Sequence, residues 1–142
     1  MSEHLTNLLA VGCIARDGKI LVAKRSNTKK MFPDRYELLG GHLEPGEQPW
    51  EALSREVLEE VGLEIIVGQP VYVFTEQIGD VFYMEVVYLC SLKDPTAEPT
   101  LDPAEHSESR WIEEGDIDSL GKDDKEIIAL RNAFEQLEGE SK

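Results

Sequence analysis

Cysteine, basic charge and long apolar runs are all scarce in this chain, and each scarcity excludes a class of protein. Of 142 residues two are cysteines, and Cys13 and Cys90 stand singly in the apolar stretches AVGCIA and VYLCSL. Neither a disulfide framework nor a metal knuckle can be built from them, so each reads as a small buried hydrophobe in a reducing compartment. Fourteen Lys and Arg face 29 Asp and Glu, a formal net charge of −15. That charge repels a nucleic-acid polymer, and neither a basic stripe nor a nucleic-acid-binding motif offsets it. No apolar run approaches the roughly 20 residues that cross a bilayer, and MSEHLTNLLAVG lacks the basic head and cleavage site of a signal peptide. A cytoplasmic chain with no membrane partner is therefore expected. Its hydrophobic fraction of 41% is enough for one ordinary core, so residues 1–142 are expected to form a single domain.

The pattern along the chain mixes strand and helix. Residues 8–24 are two apolar runs flanking Arg16-Asp17-Gly18-Lys19, a strong hairpin signal. Residues 25–34 read as a loop, and YELL at 36–39 as a short strand entering Gly40-Gly41, where the absence of side chains permits close approach. A helix is expected from about Gln48, with Pro49 in its first turn and Gly62 beyond its end. Two longer strands follow, joined at Gly79-Asp80, then an acidic, proline-bearing loop over 93–108 and a short strand, SRWIEE. Residues 123–138 place Ile127, Leu130, Phe134 and Leu137 at helical spacing. Strands before, between and after two helices predict an α/β fold, with a mixed β-sheet between helices.

The segment REVLEEVG (55–62) gathers charge that ought to repel itself. On a helical wheel Glu56, Glu59 and Glu60 fall within an arc of roughly 100°, beside an apolar stripe of Trp50, Leu53, Val57 and Val61. Each like-charged pair at three or four residues costs a few tenths of a kcal/mol. A solvated acidic face accounts for this run taken alone, but the residues before it make a longer pattern: Gly41, five residues, Glu47, seven residues, then Arg55-Glu56-Val57-Leu58-Glu59-Glu60-Val61-Gly62-Leu63. Chance would produce that pattern in such a chain with a probability on the order of 10⁻⁶.

The pattern resembles the signature of the Nudix family, and the order of strands and helices is similar to the family over nearly the whole chain. The resemblance implies an α/β/α sandwich that hydrolyses a nucleoside diphosphate linked to another group, using Mg²⁺ or Mn²⁺. It implies metal ligation by Glu56, Glu59, Glu60 and the backbone carbonyl of Gly40, with Glu47 and Arg55 orienting the ligands or a water. Hard divalent ions on carboxylate oxygens are suited to the charge that develops in phosphoanhydride cleavage. The general base stays open between Glu56 and the acids of EHSESRWI, Glu105 and Glu108. Lys24 and Arg25 end the second strand, where similar proteins often carry a basic residue over substrate phosphates. His42 and Gly41, beside the glycine pair, are further substrate-binding candidates, each weighed against a loop position with no role. Phe74, Phe82, Tyr83 and Trp111 read as packing residues before nucleobase platforms. Since similar proteins commonly pair, a homodimer is a further expectation.

Two departures bear on the substrate. Leu38-Leu39-Gly40-Gly41 stands where many members have Leu-Pro-Gly-Gly, which loosens the loop entry without removing a ligand. Gly79 occupies the place of the proline that marks ADP-ribose pyrophosphatases, Tyr83 lies too far along for the dinucleoside polyphosphate enzymes, and no coenzyme A motif precedes the signature. By elimination the expected substrate is a (deoxy)nucleoside triphosphate, cleaved to monophosphate and pyrophosphate. ADP-ribose-type, sugar-nucleotide or dinucleoside polyphosphate substrates, or a nucleotide sensor without turnover, are the alternatives.

Overall fold

A computed structural model describes residues 5–140. Asp17 and Gly18 both take positive φ (52° and 78°), and Arg16 pairs with Lys19 across them, as the Asp-Gly signal predicts. The turn joins β1 (Leu5–Arg16) to β2 (Lys19–Arg25). The remaining strands are β3 (Tyr36–Glu37), β4 (Leu39–His42), β5 (Ile65–Ile78), β6 (Val81–Leu92) and β7 (His106–Ile112). The helices are α1 (Pro49–Val61) and α2 (Glu126–Glu140), with a 3-10 helix at Glu114–Leu120. None of the described helices is long and apolar enough to cross a membrane.

The seven strands form one mixed sheet in the order β3-β2-β1-β6-β5, with β4 also on β1 and β7 also on β2. β1 and β6 run parallel from Leu5 and Val81 to Ala15 and Ser91, while the other pairs are antiparallel. The hairpin splays: β1 pairs with β2 only at Ala15 and Arg16, and further along the same edge of β1, Leu9–Gly12 pair with β4. The glycine pair therefore lies inside the sheet, at the fork where β2 leaves β1.

Strand alternation sends successive residues to opposite faces. Val11, Cys13, Ile20, Val22, Val87 and Leu89 pack with Ala129, Leu130, Ala133 and Phe134 of α2. Ala10, Ile14, Leu21, Ala23, Tyr88 and Cys90 pack with Leu53, Val57 and Val61 of α1. The expected sandwich, a mixed sheet with a helix on each face, is what the chain forms, and both cysteines are free and buried.

The departures from expectation are local. YELL is not one strand: Glu37 pairs with Ala23 of β2 and Leu39 with Gly12 of β1, so the chain changes partner at Leu38. Trp50 is half exposed at the first turn of α1, and Ala52, fully buried, takes the core place. β7 begins at His106, inside the expected loop, and ends at Ile112, where the chain turns into the 3-10 helix. α2 starts three residues late because the Asp124 carboxylate accepts the Glu126 N–H at 3.0 Å. Trp111 anchors its strand, with the Arg16 guanidinium 4.0 Å over its ring and its indole N–H donating to Glu98. Phe74 packs beneath α2, its ring 5.6 Å from that of Tyr72.

One polar group is set into the α2 side. Glu85 is buried on β6, and its Oε2 makes no hydrogen bond. Burial, and then the nearby Glu126 carboxylate, push its carboxyl far above the ordinary value of 4.5. Below that ordinary value the group is protonated in folded and unfolded chains alike. As pH rises the unfolded chain ionises while the folded one keeps the proton, so stability is lost progressively into the alkaline range. Glu85→Gln removes this titration. In urea unfolding series from about pH 5 to pH 9 the variant is expected to lose markedly less stability than the parent chain.

Candidate active site

The site is assembled where β4 meets α1. Gly40 has φ +153°, and a Cβ on it would lie 2.1 Å from the Ala10 carbonyl oxygen and 2.6 Å from the Val11 Cα. Only glycine fits there, because both obstacles are backbone. At Gly41 the obstacle differs: a Cβ would lie 2.5 Å from Cδ and 2.6 Å from Oε2 of Glu56. The missing side chain of Gly41 is thus the space into which the Glu56 carboxylate folds. Gly41→Ala should leave a folded protein, since a flexible side chain can yield, but should displace Glu56. A loss of about 10- to 100-fold in kcat with little change in melting temperature is expected in steady-state assays beside thermal melts.

Arg55 organises the outer rim. Its Nε donates to Oε2 of Glu47 at 2.7 Å and its Nη2 to Oε1 of the same carboxylate at 2.9 Å. Nη1 reaches Glu56 at 3.0 Å and Glu59 at 3.2 Å, and Nη2 also donates to the His42 carbonyl at 3.1 Å. The Arg55 guanidinium, helped by the Glu44 backbone N–H, holds the Glu47 carboxyl down at about 2. The Glu47 and Arg55 pairing and the (i, i+4) contact to Glu59 follow the sequence expectation, while Glu56 and the His42 carbonyl are additional partners.

Glu60 is a partly buried member of the group. Burial, and then the charges of Glu37, Glu56 and Glu105, push its carboxyl up to about 8. Carboxylates from α1, β3 and the residue before β7 thus lie near Glu60, while Arg55, Arg25 and Lys29 pair with Glu56, Glu37 and Glu105. Among the described residues no three or more acidic, His or Cys side chains already form a ready coordination group. Glu56 and Glu59 are instead drawn to Arg55, and Glu59 remains largely exposed. The donors are hard carboxylate oxygens, and Glu60 stands partly buried among like charges. That set fits a hard divalent cation better than any anion or soft metal.

The remaining sequence candidates separate by face. Glu105 comes beside Glu60, while its carboxylate also pairs with Lys29, so Lys29 is not simply solvent-facing. Glu108 is not brought to this group. Cross-strand from Lys24, it accepts a hydrogen bond from the Tyr36 hydroxyl, and Tyr36 packs against the α2-side core. Lys24 shares that location, its Nζ 5.8 Å from the Tyr36 ring centroid. Arg25 lies nearer the acids but donates to the Met31 carbonyl at 2.9 Å and to Glu37 at 3.2 Å. The His42 side chain is exposed at the end of β4.

Two residues near the group carry no sequence pattern of their own. Glu37 is an acid in a two-residue strand, and His106 sits among acids in what reads as loop. They are 69 positions apart in sequence and meet with His106 Nε2 2.8 Å from Glu37 Oε2.

Comparison with known proteins gives five findings. The family model for the NUDIX domain matches residues 6–131. The CTP pyrophosphohydrolase of Escherichia coli is 34% identical over 98 residues, 69% of each chain. The nucleoside triphosphatase NudI of Salmonella agona is 44% identical over 55 residues, a stretch spanning 39% of the length of each protein. Among solved structures, a MutT protein from Methanosarcina mazei Go1 superposes with a TM-score of 0.76 at 24% identity, covering 100% of this chain and 99% of that one. The E. coli ORF135 protein does so with a TM-score of 0.74 at 25% identity, covering 95% and 92%.

Proposed function

Because the chain belongs to the Nudix hydrolase family, we propose that it is a Mg²⁺-dependent pyrophosphohydrolase of (deoxy)nucleoside triphosphates, releasing monophosphate and pyrophosphate. The observation that carries the reading is the seating of the Glu56 carboxylate against Gly41, with Glu60 near it pushed up by burial and by the charges of Glu37, Glu56 and Glu105. The likeness to the CTP and nucleoside triphosphate enzymes supports the triphosphate as substrate, and the two unpaired buried cysteines accord with a cytoplasmic protein.

In this reading Glu56, Glu59, Glu60 and the Gly40 carbonyl hold the divalent cation, with Mn²⁺ able to replace Mg²⁺. When bound, the cation neutralises charge on the phosphate oxygens. Arg55 fixes Glu47 with two hydrogen bonds and keeps Glu56 and Glu59 on the rim, so the ligands do not search for their geometry during turnover. Glu105, beside Glu60 with Lys29 as its counter-ion, accepts the proton of the attacking water, since Glu56 serves as a ligand under Arg55 and Glu108 is turned to Tyr36. His42 and Gly41 lie about the mouth of the site as contacts for the nucleotide and Arg25 reaches it through Glu37, while Lys24, beside Tyr36 on the other side of the sheet, does not.

The test is a panel of nucleoside triphosphates, CTP among them, with sugar nucleotides and dinucleoside polyphosphates, each with Mg²⁺. Phosphate is read with and without added pyrophosphatase. Release that requires pyrophosphatase, greatest on triphosphates and lost with a chelator, is the expected result. Preference for a sugar nucleotide would refute the substrate, and tight nucleotide binding without turnover would refute the enzyme.

A further inference from the structure

β2 is paired on both edges, with β3 on one side and β7 on the other. Glu37 stands opposite Ala23 on the first edge and His106 opposite Arg25 on the second. Strands lie about 4.8 Å apart, so residues on β3 and β7 are separated by about 10 Å of sheet. The two side chains nevertheless meet: on the face they share β2 presents Ala23, small and fully buried, opposite Glu37, and Arg25, which itself donates to Glu37, opposite His106. Among the described residues the contact is the imidazole's one hydrogen bond, since Nδ1 is buried without a partner. Glu37 is held from its other side by Arg25, and Arg25 in turn fixes the 26–35 loop through the Met31 carbonyl.

His106 directly follows Glu105, and both backbone N–H groups donate to the Asp102 carbonyl at 2.9 Å. The Glu105 carbonyl accepts from the Ser26 N–H, also at 2.9 Å. The imidazole and the backbone of Glu105 are thus held at the same end of β7, where the Glu105 carboxylate pairs with Lys29. We propose that Glu37 and His106 are positioning residues: their hydrogen bond across β2 fixes the start of β7 and so helps to set the Glu105 carboxylate beside Glu60. The inference rests on the cation-dependent reading above. Neither residue needs to touch the nucleotide, and the charge of Glu105 contributes to the field that draws the cation.

A tie that served only to hold β7 would lower stability and leave the affinity of the folded protein for a cation unchanged. The experiment therefore measures binding of Mn²⁺ alone, by electron paramagnetic resonance, with thermal melts alongside. His106→Leu should weaken Mn²⁺ binding about tenfold, as loss of an outer hydrogen-bonding partner does at metal sites. His106→Gln, whose amide N–H can reach Glu37, should recover most of it. In a Glu105→Gln background His106→Leu should have little further effect, because the residue it positions no longer carries its charge. If His106→Leu does not fold, His106→Asn, whose shorter side chain cannot reach Glu37, is read in the same way. A chain that binds no Mn²⁺ overturns both this inference and the functional reading. Mn²⁺ binding equal to that of the parent in folded His106→Leu, or full additivity with Glu105→Gln, overturns the inference alone.

Discussion

Glu60→Gln is expected to lower kcat by about a thousandfold and, in the metal-free protein, to raise the melting temperature. The first effect follows from the proposed role of Glu60: a cation would supply several kcal/mol of transition-state stabilisation, and the variant would lose one of its charged oxygen ligands. The second follows from the arrangement of the acids. Glu60 is pushed up to about 8 by burial and by Glu37, Glu56 and Glu105, against an ordinary value of 4.5. A raised carboxyl contributes fully below the ordinary value and loses stability for the fold as pH rises toward the folded one. Glutamine escapes that loss, so the gain in melting temperature should be larger at pH 8 than at pH 5. A gain of ~1 kcal/mol would appear as about 3 °C for a chain of this size. The pair of results separates a functional acid from a structural one. A variant that is inactive and less stable would mean that the Glu60 charge is satisfied by the fold, and the cation assignment would fall.

The same reasoning explains what the sequence discloses and what it hides. Gly41, Glu47 and Arg55–Gly62 lie on one continuous loop and helix, so their spacing alone carries the geometry, and Arg55 meets Glu47 and Glu59 as that spacing requires. The hairpin at Asp17-Gly18 and the closing Gly62 are equally local, each demanded by a positive φ. Long-range pairing is not legible in this way. That YELL divides between β2 and β1 depends on the fork in the sheet, which no residue of the segment announces. Glu37 and His106 are joined only because β2 is paired on both edges, with Glu37 opposite Ala23 on one and His106 opposite Arg25 on the other. The choice between Glu105 and Glu108 turns on strand parity: β7 sends Glu108 to the α2 side with Tyr36, and register is set by pairing rather than by composition. The 3-10 helix was hidden for another reason, since EGDIDSL buries only Ile117 and Leu120, too few positions to display a period.

The other large effect belongs to Arg55. Arg55→Lys keeps the positive charge and the position, yet is expected to lower kcat about 100-fold. The guanidinium makes two hydrogen bonds to Glu47 and further ones to Glu56, Glu59 and the His42 carbonyl, all from one rigid plane. An ammonium is a point charge that cannot hold that many fixed acceptors from a single stem. Overall charge and long-range attraction for the cation are preserved, so KM for nucleotide should change by no more than about threefold and melting temperature by a few degrees at most. The loss should be shared with Glu47. Glu47→Gln alone is expected to cost a similar amount, and the double variant little more than either single one, since both changes break the same bidentate contact. Strict additivity in kcat would mean that Glu47 and Arg55 act separately. Glu47 would then belong to the reacting water or the substrate and not to the frame that orients Glu56 and Glu59.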